Sequence, residues 1–95
     1  MYCSNNTLNN LDVSGVTTLT QLRCHENQLT SIDVSNNAAL ISLWCDNNQL
    51  TSLDLSANDS LTYLNCSNNL LASLDLRNGG NTNITSFNSK NNPNL

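Results

Sequence analysis

The sequence predicts a right-handed solenoid: short parallel β-strands line the concave face, extended and turn segments form the convex face, and there is little or no α-helix. Three observations carry this. Cysteine recurs at Cys3, Cys24, Cys45 and Cys66, a step of 21 residues each time. Asparagine keeps the same step at Asn6, Asn27, Asn48 and Asn69. Apolar residues keep it in further columns: Leu19, Leu40 and Leu61; Leu8, Leu29, Leu50 and Leu71; Leu11, Ile32, Leu53 and Leu74; Val13, Val34, Leu55 and Leu76. So many positions in phase define a repeat, in which each turn buries its apolar face only by stacking on the next.

Each element of the turn follows in order. Between residues 21 and 25, Leu22 and Cys24 alternate with Gln21, Arg23 and His25, the period of a strand with one buried face. One such strand per turn, stacked in parallel at about 4.8 Å, builds a sheet. Right-handed crossovers between parallel strands set the hand of the coil. Asn27, Asn48 and Asn69, with Asn6 and Asn92 at the ends of the column, stand where the chain leaves the strand. An asparagine amide both donates and accepts, so it satisfies backbone groups of its own and the adjacent turn. Unsatisfied, those groups would cost about 1–3 kcal/mol each. An extended piece at residues 30–34 follows, with Ile32 and Val34 inside and Asp33 outside, and a tight turn closes the unit.

One unit, residues 19–39, reads LTQLRCHENQLTSIDVSNNAA, and the next, from Leu40, reads LISLWCDNNQLTSLDLSANDS. The pattern L-x-x-L-x-C-x-x-N-x-L-T-x-[IL]-D-[VL]-S resembles the leucine-rich repeat family, with cysteine at the third leucine of the signature. The resemblance runs through essentially all 95 residues. It is strongest to the short L-x-x-L-x-C-x-x-N repeats of secreted and surface bacterial proteins, and so implies a secreted or cell-surface location. The terminal KNNPNL is similar to the point where such arrays hand over to a following domain. Residues 1–95 are expected to form a single solenoid of about four to five turns, part of a longer protein, because Met1 runs directly into repeat sequence. The last unit departs from the pattern. Ile84 arrives two residues late, after an insertion around Asn78-Gly79-Gly80-Asn81 expected to be a loosened convex loop. Phe87 then replaces leucine and Ser89 replaces cysteine, while Asn92 holds its position.

Composition bounds the function. A formal net charge of -4, from seven acidic and three basic residues, excludes a nucleic-acid backbone binder, which needs a Lys/Arg stripe. No stretch is apolar and long enough to insert in a membrane, and no basic region with an apolar run reads as a signal peptide. The 20 asparagines are one repeated structural position rather than a disordered tract, because they fall in phase. The sequons, such as Asn5-Asn6-Thr7, are chance products of that richness and carry no weight.

Four columns could carry chemistry. The cysteines lack a C-x-x-C pair and a second inward ligand type, so they are not a metal centre. Stacked side chains hold their Cβ atoms slightly too far apart for a disulfide, which leaves buried free thiols acting as small apolar groups. Asp12, Asp33, Asp54 and Asp75 either form a row of calcium sites with neighbouring serines or bond their own turn backbone. The second is favoured, since one carboxylate per turn is a poor cage, and no cofactor is expected. His25, Asp46 and Ser67 share an outward column in the wrong order for a triad, because histidine must lie between the other two. A surface His25–Asp46 pair is expected instead, and no enzyme activity.

The outward face of the strands remains. Its central column runs Tyr2, Arg23, Trp44, Asn65 and Asn88, with Tyr63 on a diagonal from Trp44, flanked by Ser4, His25, Asp46, Ser67 and Lys90. These positions differ from turn to turn while the inward ones do not. Trp, Tyr and Arg are also the usual hot-spot residues of interfaces. Tyr2, Arg23, His25, Trp44, Asp46 and Tyr63 are therefore the expected binding set for a protein or carbohydrate ligand. The competing readings are an Arg23–Trp44 stack that merely shields the sheet on a passive spacer or stalk, and a calcium-stabilised repeat. With no polar cap beyond Met1 or Phe87, association end to end is expected.

Overall fold

A computed structural model describes residues 1–76 and 84–95. The expected loop around Asn78-Gly79-Gly80-Asn81 lies outside the described residues. Six three-residue strands appear: β1 (Gln21–Arg23), β2 (Ser42–Trp44), β3 (Ser52–Asp54), β4 (Tyr63–Asn65), β5 (Ser73–Asp75) and β6 (Ser86–Asn88). No helix occurs among the described residues.

The main sheet has the order β1-β2-β4-β6, all parallel. Its register repeats the sequence step: Leu22 pairs with Leu43, Leu43 with Leu64, Arg23 with Trp44 and Trp44 with Asn65. At the last rung Leu64 pairs with Phe87 and Asn65 with Asn88, so the two extra residues lie between strands and leave the register intact. A parallel bridge from Tyr2 to Arg23 adds a rung at the other edge. Backbone pairing continues beyond each strand, from Cys24 N to Trp44 O at 2.9 Å and from Glu26 N to Asp46 O at 3.0 Å. A second sheet on the return side joins β3 to β5, with Leu53 opposite Leu74 and Asp54 opposite Asp75.

The core is the set of apolar columns. Leu22, Leu43 and Leu64, Cys24, Cys45 and Cys66, and Leu29, Leu50 and Leu71 are all inaccessible to solvent. Return-side residues Val13, Val34, Leu53 and Leu55 close it, with Ile32 and Leu74 half-buried against it. A fully buried Leu is worth roughly 1.5–3 kcal/mol of transfer free energy, and neighbouring turns supply most of the covering surface. The terminal rungs have one neighbour each, so Phe87 is 47% and Met1 43% exposed. Two successive tight turns reverse the chain between the return segment and the next strand, as in Asn37 N to Val34 O at 3.0 Å and Leu40 N to Asn37 O at 3.0 Å.

Candidate functional site

The outward face of the main sheet is built by the same register that buries the leucines. Because side chains alternate, burying Leu22, Leu43 and Leu64 turns Arg23, Trp44 and Asn65 outward, with Gln21, Ser42 and Tyr63 in a parallel column. Four of the expected binding residues come together there in one stack. The Arg23 guanidinium lies 4.8 Å from the Tyr2 ring centroid and 4.3 Å from that of Trp44. Trp44 in turn packs on Tyr63, centroid to centroid 4.4 Å with the planes inclined by 35°. Arg23 reaches Trp44 from the β1 side and Tyr63 from the β4 side, so the indole is flanked on both sides. The Tyr2 hydroxyl donates to Gln21 Oε1 at 3.0 Å, which fixes the outermost ring although Tyr2 is 69% exposed.

His25 and Asp46 occupy the neighbouring column but do not pair, contrary to expectation. Asp46 Oδ2 accepts a 2.8 Å bond from Asn47 Nδ2, a partner one residue away that orders no further chain. His25 Nδ1 and Asp46 Oδ1 are enclosed without a hydrogen-bond partner, as is Arg23 Nε. Ser67 is buried, its hydroxyl donating to Asn65 Oδ1 at 2.8 Å. Histidine, aspartate and serine therefore make no relay.

Behind this face runs the asparagine column. Asn48 Nδ2 donates to the carbonyls of Cys24 and Cys45, both at 3.1 Å, while its Oδ1 accepts from Leu29 N at 3.0 Å. Asn27 and Asn69 repeat this on their own turns, and Asn92 does so on the last. Asn6 differs: it is exposed and bonds only Cys3 O and Ser4 O of its own turn. The residue preceding each ladder asparagine has positive φ: Asn5 59°, Glu26 56°, Asn47 55°, Asn68 54° and Asn91 59°. This left-handed conformation aims the amide back into the coil, and asparagine tolerates it better than glutamate does.

The cysteines are free. The Cys45 and Cys66 thiols donate to Asn65 O and Asn88 O on the next strand, each at 3.5 Å. Burial pushes the Cys24 thiol up to about 12 and Cys66 up to about 11, and holds Cys45 well above its ordinary value. Cys3 is half-buried on the first rung, covered from one side, and burial raises it too.

On the return side Asp12 and Asp33 accept from the hydroxyl and the backbone N–H of Ser14 and Ser35, at 2.6 and 2.9 Å. These bonds, the hydroxyl's foremost, hold both carboxyls below their ordinary value. Asp54 accepts from Ser56 N in the same way. Among the described residues no three His, Cys, Asp or Glu side chains cluster as metal ligands.

A second asparagine ladder escaped the sequence reading. Asn37 and Asn58, again 21 apart, are fully buried on the return side. Asn37 Nδ2 donates to Val13 O at 3.0 Å and Val16 O at 2.9 Å, and Asn58 Nδ2 to Val34 O and Asn37 O, both at 3.0 Å. Their shared step was the available signal, but Val16 interrupts the column and the abundant asparagines mask it.

One strand per 21 residues, a buried cysteine on each full turn and an asparagine ladder beside it define the class. The chain belongs to the leucine-rich repeat family, in its short cysteine-bearing form. Among solved structures it is similar to one described as the functional domain of InlJ from Listeria monocytogenes, which includes a cysteine ladder. The likeness covers 73% of this chain at 46% identity with a TM-score of 0.71, and this chain spans 15% of that one's length. No family model and no curated protein matches the chain.

Proposed function

We propose that the chain is a binding module of an exported bacterial protein: a right-handed solenoid of four to five turns whose concave strand face takes a protein or carbohydrate ligand. The stack of Tyr2, Arg23, Trp44 and Tyr63 carries this reading. Core packing asks for constancy inside, and nothing in it asks for a tryptophan outside. Pre-stacked aromatic and arginine side chains lose little conformational freedom on binding, the property that makes such residues hot spots. Likeness to the InlJ domain supports a secreted or cell-surface location, and no helix in the described residues is long and apolar enough to cross a membrane. Binding without catalysis is the activity proposed, since His25, Asp46 and Ser67 are not linked. Exposed Met1 and Phe87 on the terminal rungs also suit end-to-end association with another apolar rung.

Wild-type protein and Trp44→Ala, compared on protein and glycan arrays, test the proposal. A ligand bound by the wild type and lost on substitution supports it. Ligands indifferent to the substitution, or none at all, favour a passive spacer. That second reading has one observation behind it: the stack engages its own members, as a purely shielding arrangement would.

A further inference from the structure

The geometry of the stack narrows the ligand class, an inference that rests on the binding reading above. Trp44 is the largest aromatic group on the face, yet neither side of its ring is open: Arg23 lies 4.3 Å from its centroid on the β1 side and Tyr63 4.4 Å on the β4 side. A sugar ring needs an uncovered aromatic face to lie against, so the indole offers it only an edge. What the stack does present is a cation. The Arg23 guanidinium sits between the Tyr2 and Trp44 rings and makes no hydrogen bond and no ion pair within the described chain. Its Nε is enclosed, which leaves the two Nη groups as the open end. Asp46, two residues beyond Trp44 on the same face, does not neutralise it; that carboxylate is engaged by Asn47.

A guanidinium held planar between two rings has already lost the rotamer freedom that an exposed arginine loses on binding. Its free pair of Nη donors matches the two oxygens of a carboxylate, the strongest geometry available to this side chain. Full hydrogen bonding is also still lacking, so a ligand carboxylate satisfies donors that the fold leaves unmet.

We infer that the outward face recognises an acidic polypeptide segment, whose carboxylate docks on the Nη edge of Arg23 while Tyr2, Trp44 and Tyr63 hold the guanidinium in place. Arg23 is the specificity-determining contact and Trp44 a positioning residue. Lysine at position 23 keeps the charge but gives up both the planar stack and the paired donors.

The chain has a single tryptophan, so its emission reports on this site alone. The protein is titrated with an oligo-glutamate peptide and, separately, with a neutral oligosaccharide, following Trp44 fluorescence and the Arg23 Nε–H resonance. The peptide is expected to perturb both signals and to weaken with added salt, and Arg23→Lys is expected to lower its affinity about tenfold or more. A circular-dichroism melt of Arg23→Lys checks that the fold persists. Perturbation by the oligosaccharide alone overturns the inference and leaves the binding reading standing. So does peptide binding that Arg23→Lys leaves unchanged. If neither probe moves Trp44, the inference is likewise overturned, and the array comparison decides the wider reading by itself.

Discussion

Asn48 joins two cysteines that are 21 residues apart: its amide donates at 3.1 Å to the carbonyls of both Cys24 and Cys45. One side chain thus measures the repeat. The same amide accepts from Leu29 N of the preceding turn at 3.0 Å, so three backbone groups on two turns depend on it.

Asn48→Ala is expected to destabilise the chain by about 2–4 kcal/mol, because buried backbone groups lose partners that water cannot replace. Asn6→Ala removes only exposed bonds within one turn and is expected to cost less than about 0.5 kcal/mol. Urea unfolding of the two variants checks the contrast. Equal costs would mean that the ladder does not tie turns together.

Glu26 is the one non-asparagine in the left-handed column, at φ 56°. Glu26→Asn is expected to raise stability by about 0.5–1 kcal/mol, relieving a conformation that costs an ordinary side chain about 1–2 kcal/mol. The urea midpoint should rise at an unchanged m-value. A lower midpoint would show that glutamate earns its place by a contact.

Inside and outside predict different penalties on one strand. Leu43 is fully buried, so Leu43→Ala is expected to cost about 2–5 kcal/mol. Trp44→Ala removes a half-exposed ring and its stacking, about 1–2 kcal/mol despite the larger group deleted. Thermal melts of both variants give the order, and a costlier Trp44→Ala would contradict the outward assignment.

The carboxyls and thiols set opposite pH limits. Asp12 and Asp33 are held down by Ser14 and Ser35, so folding binds fewer protons there than the unfolded chain does. Their contribution is present above the ordinary carboxylate value of 3.8 and is lost as pH falls through the lowered folded value. Raised thiols act at the other end. Between the ordinary 9.0 and about 12 for Cys24, the folded chain keeps a proton that the unfolded chain has released, so stability falls as pH rises. Melting temperature against pH is expected to drop at both ends. The variant with Ser14→Ala and Ser35→Ala should flatten the acid side and leave the alkaline side unchanged.

Thiol reactivity separates the rungs. Cys24, Cys45 and Cys66 are buried and held as thiols, so an aromatic disulfide reagent at neutral pH should reach them only on unfolding. Half-buried Cys3 should react first. All four reacting together in native protein would place the column outside the core.

Much of this was legible because burial demands sameness. Leu22, Leu43 and Leu64 fill equivalent holes, and the step between them announces both strand and register, including the diagonal from Trp44 to Tyr63. Periodicity says nothing about rotamers, which is why the His25–Asp46 pair was expected and Asn47 took the carboxylate instead. Nor does it identify a column that chemistry fills unevenly. Glu26 hides the left-handed position among asparagines, and Val16 hides the ladder of Asn37 and Asn58. The gradation from buried Cys24 to half-buried Cys3 depends on how many turns cover a rung, which no single repeat encodes.

Trans-hydrogen-bond scalar couplings measured by NMR read the register without any substitution. Couplings are expected from Cys24 N to the Trp44 carbonyl, from Cys45 N to that of Asn65 and from Cys66 N to that of Asn88. Those three together fix parallel strands in which cysteines 21 apart stand on neighbouring turns. Couplings from these amides to any other carbonyls would contradict it.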